Sequence, residues 1–260
     1  MVAGAGAALK GCRPRMKIKL IACEVFFREF SAAVASSPHV FDVKFLSFGL
    51  HDTPEKLREA IQREIDDLEG SDYDAIVLGY GLCSRGTAEV RAGSIPIIVP
   101  RMHDCITMLL GSRERYNAEF GANPGTYYYS PGWIERKAGE VQQGFVDDVH
   151  RRRIEQRFAE YVEKYGEDNA RYLIDHESQW QANYTRAVFI DTGFGDTDQY
   201  RRFTTQLASD HGWDYAEIAG DPGMIDRMAR GEWDDDTFLR VEPGQTIAES
   251  FDEKVLRAAG

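Results

Sequence analysis

The sequence predicts an α/β protein with a mostly parallel, doubly wound sheet, because short apolar runs alternate with amphipathic helical segments along most of its length. Two further observations favour this class. The apolar runs are rich in β-branched residues, as strands buried on both faces are. Several of them also lead into turns that contain glycine, which is typical of connections between strands and helices.

The first half of the chain shows the alternation most clearly. Thr53 is the expected cap of its second helix, with Pro54 at the first helical position, where proline is well tolerated. In chain order, hydrophobic periodicity predicts a strand over 17–22, a helix over 25–34, a strand over 41–48, a helix over 54–68, a strand over 74–78, a glycine turn over 79–86 that leads into a short helical stretch, a strand over 95–99 and a helix over 105–120.

The second half begins with glycine, proline and aromatic residues over 121–133, which exclude a continuous helix. They predict a departure from the α/β alternation that contains a short extended segment. A strongly helical stretch over 151–181 has a break near Gly166. The alternation then resumes with a strand over 187–190, a helix over 197–211, a strand over 215–218, a helix over 222–230 and a terminal strand over 238–241. The glycine turn over 191–196 resembles the earlier one, which indicates two pseudo-equivalent Rossmann-like halves around a cleft.

We expect residues 1–15 to form a disordered extension, because they are rich in Ala, Gly and Arg and lack the apolar core of an export signal. Residues 16–260 are expected to form a single α/β domain. Within that domain, lobes over 16–135 and 183–260 would be joined by the helical segment 147–182.

The net charge of −12 argues against general nucleic-acid binding, which normally requires a basic surface to neutralise phosphates. No apolar stretch approaches the roughly 20 residues that a membrane-spanning helix needs. Four cysteines are too few for a disulfide scaffold in a chain of 260 residues, so a reducing cytoplasm is expected. The sequence leaves the oligomeric state open.

Sulfur and imidazole ligands follow three of the predicted strands. Cys23 ends the first strand, Cys83 follows the third, and His103 and Cys105 follow the fourth. Because the carboxyl ends of parallel strands lie along one edge of a sheet, we expect these side chains to converge. Zinc favours thiolate and imidazole ligands, so the four residues predict a zinc site, for which iron or cobalt could substitute. Three protein ligands would leave a position for a reacting atom, whereas four would close the site.

Two other interpretations of the cysteines stay open. Free cysteine is among the most frequently buried residues, so all three could be ordinary core thiols. Alternatively, Cys83 could be a nucleophile, because it lies in a glycine turn beside Arg85 and His103 could serve as its base. The nucleophile hypothesis leaves Cys23 and Cys105 unexplained.

Polar neighbours of these positions are candidates for catalysis and substrate binding. Glu24 adjoins Cys23 and could act as a general base or support the metal ligands. Arg101 and Arg85 could hold a carboxylate or phosphate of the substrate. Asp104 is the expected cap of the following helix.

An aromatic stretch provides further candidates for substrate binding. Tyr127, Tyr129 and Trp133 are expected to line a cleft wall or lid, since aromatic side chains supply contact area at low entropic cost. Alternation along an extended segment would direct Tyr128 to the opposite face.

At these residues the chain resembles a group of uncharacterised bacterial and archaeal proteins, the domain of unknown function 1638 family. The resemblance extends over nearly everything after Met16, and its most specific part is the PRxHDC motif over 100–105. The other matching elements are Ala22-Cys23 with Glu29 downstream, Gly81-Leu82-Cys83, Leu109-Leu110-Gly111-Ser112, Pro124-Gly125-Thr126-Tyr127-Tyr128, Pro131-Gly132-Trp133 and Ile190-Asp191-Thr192-Gly193.

Members of that family typically follow the Gly-Leu-Cys turn with a small residue, often glycine, whereas Ser84 and Arg85 follow here. Similar genes often occur near corrinoid-dependent methyl-transfer systems. The resemblance itself implies little about the reaction, but this association makes methyl transfer the favoured chemistry and a corrinoid protein a candidate partner.

Together these observations predict a cytoplasmic zinc-dependent enzyme, similar to a methyltransferase, in which a Cys/His-bound metal activates a small-molecule nucleophile. A non-catalytic metal- or cofactor-binding protein that acts with a methyl-transfer system is one alternative. An enzyme with Cys83 as its thiol nucleophile is the other.

Overall fold

The computed structural model describes residues 14–137, 146–178 and 183–260. The strands of the described ranges are Lys17–Cys23 (β1), Val40–Leu46 (β2), Ala75–Gly79 (β3), Ile97–Pro100 (β4), Thr126–Tyr129 (β5), Arg186–Asp191 (β6), Asp214–Ala219 (β7), Phe238–Val241 (β8), Thr246–Glu249 (β9) and Leu256–Ala259 (β10). The α-helices of the same ranges are Phe27–Ala35 (α1), Pro54–Asp66 (α2), Cys105–Leu110 (α3), Arg113–Ala122 (α4), Pro131–Lys137 (α5), Val146–Tyr165 (α6), Glu167–Ser178 (α7), Thr197–His211 (α8) and Gly223–Ala229 (α9).

The central sheet has the strand order β2-β1-β3-β4-β8. Its first four strands are parallel, and β8 pairs with β4 in the antiparallel direction. The predicted α/β class with a mostly parallel sheet is therefore confirmed. Because β1, β3 and β4 are parallel neighbours, their last residues, Cys23, Gly79 and Pro100, lie along the same edge of the sheet.

The second half of the chain builds a separate sheet rather than extending the first. Strands β5, β6 and β7 form a three-stranded, fully parallel sheet, so the predicted extended segment within 121–133 is a true strand. Strand β8 was expected to end the fold, but an antiparallel hairpin of β9 and β10 follows it. The hairpin strands are only four residues long, and each gives little periodicity to detect.

One apolar cluster joins the two parallel sheets. It contains Ile18, Leu20 and Ala22 from β1 together with Val188 and Ile190 from β6, and helices α1, α3 and α9 contribute to it. The other face of the central sheet packs against α2 in a second cluster. Burial on both faces explains why β3 and β4 are continuously apolar in sequence and why β1 is apolar from Leu20 onward.

The helix predicted over 105–120 is two helices. Gly111 ends α3 with a φ of +82°, a left-handed conformation that glycine adopts without steric cost. The hydroxyl of Ser112 then caps α4 by accepting a hydrogen bond from the amide of Arg115 at 3.2 Å. The predicted break near Gly166 is confirmed, since that glycine separates α6 from α7. Thr53 precedes α2 as expected, but its side chain makes no capping hydrogen bond.

The predicted extension lies outside the described residues except for its last two positions, 14 and 15. The division into lobes stays a prediction. Within the part of the chain that is described, no helix combines the length and the apolar character needed to cross a bilayer.

Candidate functional site

Three thiols lie at the carboxyl edge of the central sheet. Cys23 is the last residue of β1, Cys83 lies in the loop after β3, and Cys105 is the first residue of α3, shortly after β4. All three are free cysteines and are partly buried. Residues that are distant in sequence are therefore brought to one region, because their strands are adjacent and parallel.

Two backbone hydrogen bonds join the loops that carry these thiols. The amide of Leu82 donates to the carbonyl of Met102 at 2.8 Å, and the amide of Cys83 donates to the carbonyl of His103, also at 2.8 Å. Gly81 permits this close approach, because a Cβ at that position would lie 2.6 Å from the carbonyl oxygen of Met102. The position of Cys83 is thus tied to the segment that carries His103.

Burial and neighbouring charges raise the pKa values of all three thiols. The pKa of Cys23 is raised to about 11, mainly by burial and also by the charge of Glu24. Burial likewise raises the pKa of Cys83 to about 12, with the charge of Cys23 as an added cause. The pKa of Cys105 is raised well above its usual value by burial and then by the charges of Asp104, Cys83 and Cys23. The three thiols therefore share one environment and are protonated at neutral pH unless a cation compensates their charge.

The phenol of Tyr80 is a site feature that the sequence interpretation missed. Its side chain is only 3% exposed, and its hydroxyl has no hydrogen-bond partner among the described residues. Burial raises its pKa, and the charges of Cys23 and Cys83 raise it further, which places the phenol beside the thiols. The available signal was a polar aromatic residue between two glycines in the turn that leads to Cys83.

His103 and Asp104 have separate roles at the start of α3. The carboxylate of Asp104 accepts hydrogen bonds from the amides of Ile106 at 3.1 Å and Thr107 at 3.2 Å, which confirms the predicted cap. The side chain of His103 is exposed. Over the described ranges, no three His, Cys, Asp or Glu side chains are already arranged as a metal-binding group. The four predicted ligands are therefore not arranged to coordinate one ion together.

The loop after Cys83 has an unusual backbone. Cys83, Ser84 and Arg85 have φ values of +46°, +53° and +72°, so three successive residues with a Cβ are left-handed. Each such residue costs about 1–2 kcal/mol relative to the right-handed conformation, and strain of this kind is concentrated at functional sites. Residues 83–89 form turns rather than the predicted short helix. No helix N-terminus is therefore available there to lower the pKa of Cys83.

Glu24 lies next to Cys23 and also stabilises a neighbouring loop. Its Oε1 accepts a hydrogen bond from the amide of Phe48 at 2.7 Å, and its Oε2 lies 3.9 Å from Nη1 of Arg136. The carboxylate is thus held in place by two elements while its charge acts on the thiol of Cys23.

The two predicted arginines are in contrasting environments. Arg101 is 8% exposed, and its guanidinium donates to the backbone carbonyls of Asp235 at 3.0 Å and Phe238 at 3.3 Å and to that of Leu256. These contacts join the end of β4 to the last strands of the chain. The side chain of Arg85 is 64% exposed, and its Nε lies 3.4 Å from Oε2 of Glu249.

The predicted aromatic residues form a packed cluster. The ring centroids of Tyr129 and Trp133 are 4.7 Å apart, and those of Tyr127 and Tyr129 are 5.0 Å apart. Tyr128 faces the other side and joins the core between the sheets, as alternation predicts. Trp133 also contacts Phe48 edge to face at 6.1 Å. The cluster therefore reaches the loop that Glu24 holds, but most of its ring surface is used in packing.

Comparisons with known proteins give one match. Residues 45–229 match the family model described as protein of unknown function (DUF1638). That range contains Cys83, His103 and Cys105, whereas Cys23 precedes it. No curated protein and no solved structure matches the chain.

Proposed function

Because the chain belongs to the DUF1638 family of proteins of unknown function, we propose its activity from the site itself: a cytoplasmic zinc-dependent enzyme, similar to a methyltransferase, that activates a small-molecule nucleophile. One observation carries this proposal. Three thiols follow three adjacent parallel strands, and the charges of Cys23 and Cys83 both raise the pKa of Cys105.

The donor set suits a zinc ion, because thiolates and imidazole are the ligands that zinc favours. Cys23, Cys83 and Cys105 would hold it, and the exposed His103 would be the exchangeable fourth ligand. The hydroxyl of Tyr80, which is buried without a partner among the described residues, is available to donate a hydrogen bond to a thiolate or to the substrate. When bound, the ion would lower the pKa of a substrate thiol, amine or water.

The remaining residues would bind and orient the substrate. Glu24 would accept the proton of the nucleophile, since its carboxylate is held beside Cys23 by Phe48 and Arg136. Arg85 would attract an anionic group, because its side chain is 64% exposed and its contact with Glu249 at 3.4 Å leaves much of the guanidinium open to solvent. The face of Trp133 toward Phe48 would close one side of the site.

We infer that the two parallel sheets are Rossmann-like halves that pack against each other. The shared apolar cluster supports this arrangement, because strands of both sheets contribute to it. Methyl transfer from a corrinoid protein is the chemistry we favour, because similar genes often occur near corrinoid-dependent methyl-transfer systems. In that reaction the cobalt–carbon bond would break with its electron pair left on cobalt, a carbon–sulfur bond would form on a substrate thiolate, and the thiol proton would pass to Glu24.

Elemental analysis of the purified full-length protein tests the metal. We expect about one zinc per chain, and loss of zinc in Cys23→Ser, Cys83→Ser and Cys105→Ser. Cys12→Ser is the matched control, because it removes the remaining cysteine of the chain. Absence of bound metal, or full zinc content in each of the three site variants, would exclude this proposal.

A second measurement tests the reaction. Zinc-loaded protein is mixed with methylcobalamin and a small alkyl thiol, and demethylation of the corrinoid is followed by absorbance. We expect turnover by the wild type and none by Cys105→Ser. Stoichiometric zinc without turnover across a panel of thiol and amine acceptors would favour the non-catalytic metal-binding protein.

The left-handed conformation of Cys83 favours one other function, because nucleophiles in strained turns also have positive φ. In that case Cys83 would react directly with the substrate. Alkylation of metal-free protein by iodoacetamide at pH 7.5 distinguishes the two functions. Fast and selective labelling of Cys83 would indicate a nucleophile, whereas slow labelling agrees with its raised pKa.

A further inference from the structure

Strand β2 leaves one edge of the central sheet unpaired. Among the described residues it pairs with β1 alone, at the end of the strand order β2-β1-β3-β4-β8. The amide of Val40 donates to the carbonyl of Met16 at 2.9 Å, so the backbone of Val40 is directed at β1. Because backbone direction alternates along a strand, the amides and carbonyls of Phe41, Val43 and Phe45 point away from the sheet. Such groups can pair with a further strand.

Exposed apolar side chains are concentrated at this edge. Val40 is 39% exposed and Val43 is 38% exposed. Phe27 on α1 is 42% exposed and packs on Phe45 with the ring centroids 5.2 Å apart. Strand β2 is also seven residues long, whereas the free edges of monomeric proteins are commonly short or protected by proline and lysine. A long edge with exposed apolar side chains favours pairing with another chain.

The sequence of β2 is complementary to itself. When two copies of β2 pair in the antiparallel direction about Val43, Asp42 of each copy lies opposite Lys44 of the other. Phe41 of each copy then lies opposite Phe45, and Val43 lies opposite its own equivalent. Since the backbone of Val43 points outward, it can exchange both of its hydrogen bonds with the second copy. The outward backbone groups and the charges therefore specify the same register.

The existing contacts of the two charged residues permit this pairing. Both side chains are exposed. Nζ of Lys44 lies 3.0 Å from Oε1 of Glu64 on α2, and Oδ2 of Asp42 accepts a hydrogen bond from the hydroxyl of Tyr73. An ammonium group has three donors and a carboxylate has two acceptor oxygens, so each group can also contact a second copy.

We propose that β2 is a homodimer interface, at which a second copy of this chain adds its own β2 in the antiparallel direction and joins the two central sheets into one. The apolar side chains of Phe41, Val43 and Phe45 are then covered on the face that carries α1. The pairs of Asp42 with Lys44 fix the register on the other face. This interface extends beyond the function proposed above, because β2 contains none of the candidate zinc ligands.

Sedimentation equilibrium of the full-length protein tests this interface, in reducing buffer to exclude intermolecular disulfides. We expect the wild type to have twice the mass of one chain. Asp42→Lys and Lys44→Asp should each weaken the dimer at least about tenfold, because each places like charges opposite each other at two symmetric positions. An equimolar mixture of the two variants should regain the affinity of the wild type, since opposite charges again face each other at both positions.

A pair of lysine substitutions tests the apolar part of the interface. Val43→Lys should also weaken the dimer at least about tenfold, because it places two ammonium groups side by side at the symmetry axis. Phe251→Lys is the matched control, since that side chain is 95% exposed in the turn between β9 and β10, and its dimer should match the wild type. Thermal unfolding verifies that each variant is folded.

A wild type that is monomeric at the highest soluble concentration would overturn the proposal, whatever other molecule occupies this edge. An undiminished dimer in Val43→Lys would also overturn it. Two charge variants that stay monomeric when they are mixed would exclude the antiparallel register. Zinc content should be the same in all of these variants, so the result is separate from that of the zinc site.

Discussion

The amide of Cys83 donates a hydrogen bond to the carbonyl of His103 at 2.8 Å. This bond connects two loops whose strands, β3 and β4, are adjacent in the central sheet. It places the left-handed loop of Cys83 beside the segment that contains His103 and Cys105. The geometry of the candidate site therefore depends on backbone contacts as well as on the sulfur-bearing side chains.

Gly81→Ala should disturb this connection. The added Cβ would lie 2.6 Å from the carbonyl oxygen and 2.8 Å from Cγ of Met102, so one of the two loops must move. We expect the free energy of unfolding to fall by roughly 1–3 kcal/mol and zinc content to decrease. Urea unfolding measures the first effect. Gly121→Ala is the control, because nothing lies within 4 Å of its new Cβ, and a loss equal to that of Gly81→Ala would contradict the explanation.

The raised thiol pKa values predict a loss of stability at alkaline pH in metal-free protein. Thiols ionise near pH 9.0 in the unfolded chain, whereas Cys23 ionises near 11 in the folded protein. The unfolded state therefore releases its proton first, and stability that is present below pH 9.0 is lost as the pH rises toward 11. The titration of Cys23 alone should lower the free energy of unfolding by roughly 2 kcal/mol.

Urea unfolding of wild type and Cys23→Ala at several pH values between 8 and 11 measures this loss. We expect a smaller decline in the variant, because it lacks the titrating group. Parallel stability curves for the two proteins would show that the Cys23 thiol does not contribute.

Arg101→Met should destabilise the fold by roughly 2–4 kcal/mol, because the backbone carbonyls that the guanidinium contacts lose a charged donor. Denaturant unfolding measures the change. Arg85→Met is the matched control, since Arg85 is largely exposed, and its effect should stay within about 0.5 kcal/mol. If both variants were equally stable, the contacts of Arg101 would not be structural.

Glu29→Gln should stabilise the protein at neutral pH. Burial raises the pKa of Glu29, so the unfolded chain ionises first and the contribution of this residue is lost as the pH rises above 4.5. Glutamine can keep the hydrogen bond from Thr192 and has no charge to bury. Thermal unfolding at pH 4 and pH 8 should show a gain at pH 8 only, and equal gains at both pH values would contradict this origin.

Local patterns predicted many of the individual elements. The bounds of α8 and β8 agree with the predicted ranges 197–211 and 238–241. Hydrophobic periodicity and the cap residue Asp196 define α8, and turn residues delimit β8, so both elements are determined by local sequence. The pairing of the strands could not be predicted from local sequence patterns. The antiparallel direction of β8 and the separate sheet of β5, β6 and β7 depend on the path of the chain in space, which no local pattern encodes.

The same distinction applies to the candidate site. The common location of Cys23, Cys83 and Cys105 follows from their places after parallel strands, and the cap of Asp104 is a local effect. Arg101 contacts carbonyl groups of residues more than a hundred positions away. The hydroxyl of Tyr80 lacks a hydrogen-bond partner among the described residues because of how the interior packs around it. Neither can be derived from neighbouring residues.

The strand order also affects how the chain folds while it is being synthesised. Strand β8 covers the edge of β4, yet residues 101–237 and the whole second sheet are translated between them. Until β8 emerges from the ribosome, the apolar strand β4 has an unpaired edge that could pair with another chain. We therefore expect nascent chains that stop before residue 238 to require a chaperone or to aggregate, and completion of the central sheet to be a late step in folding.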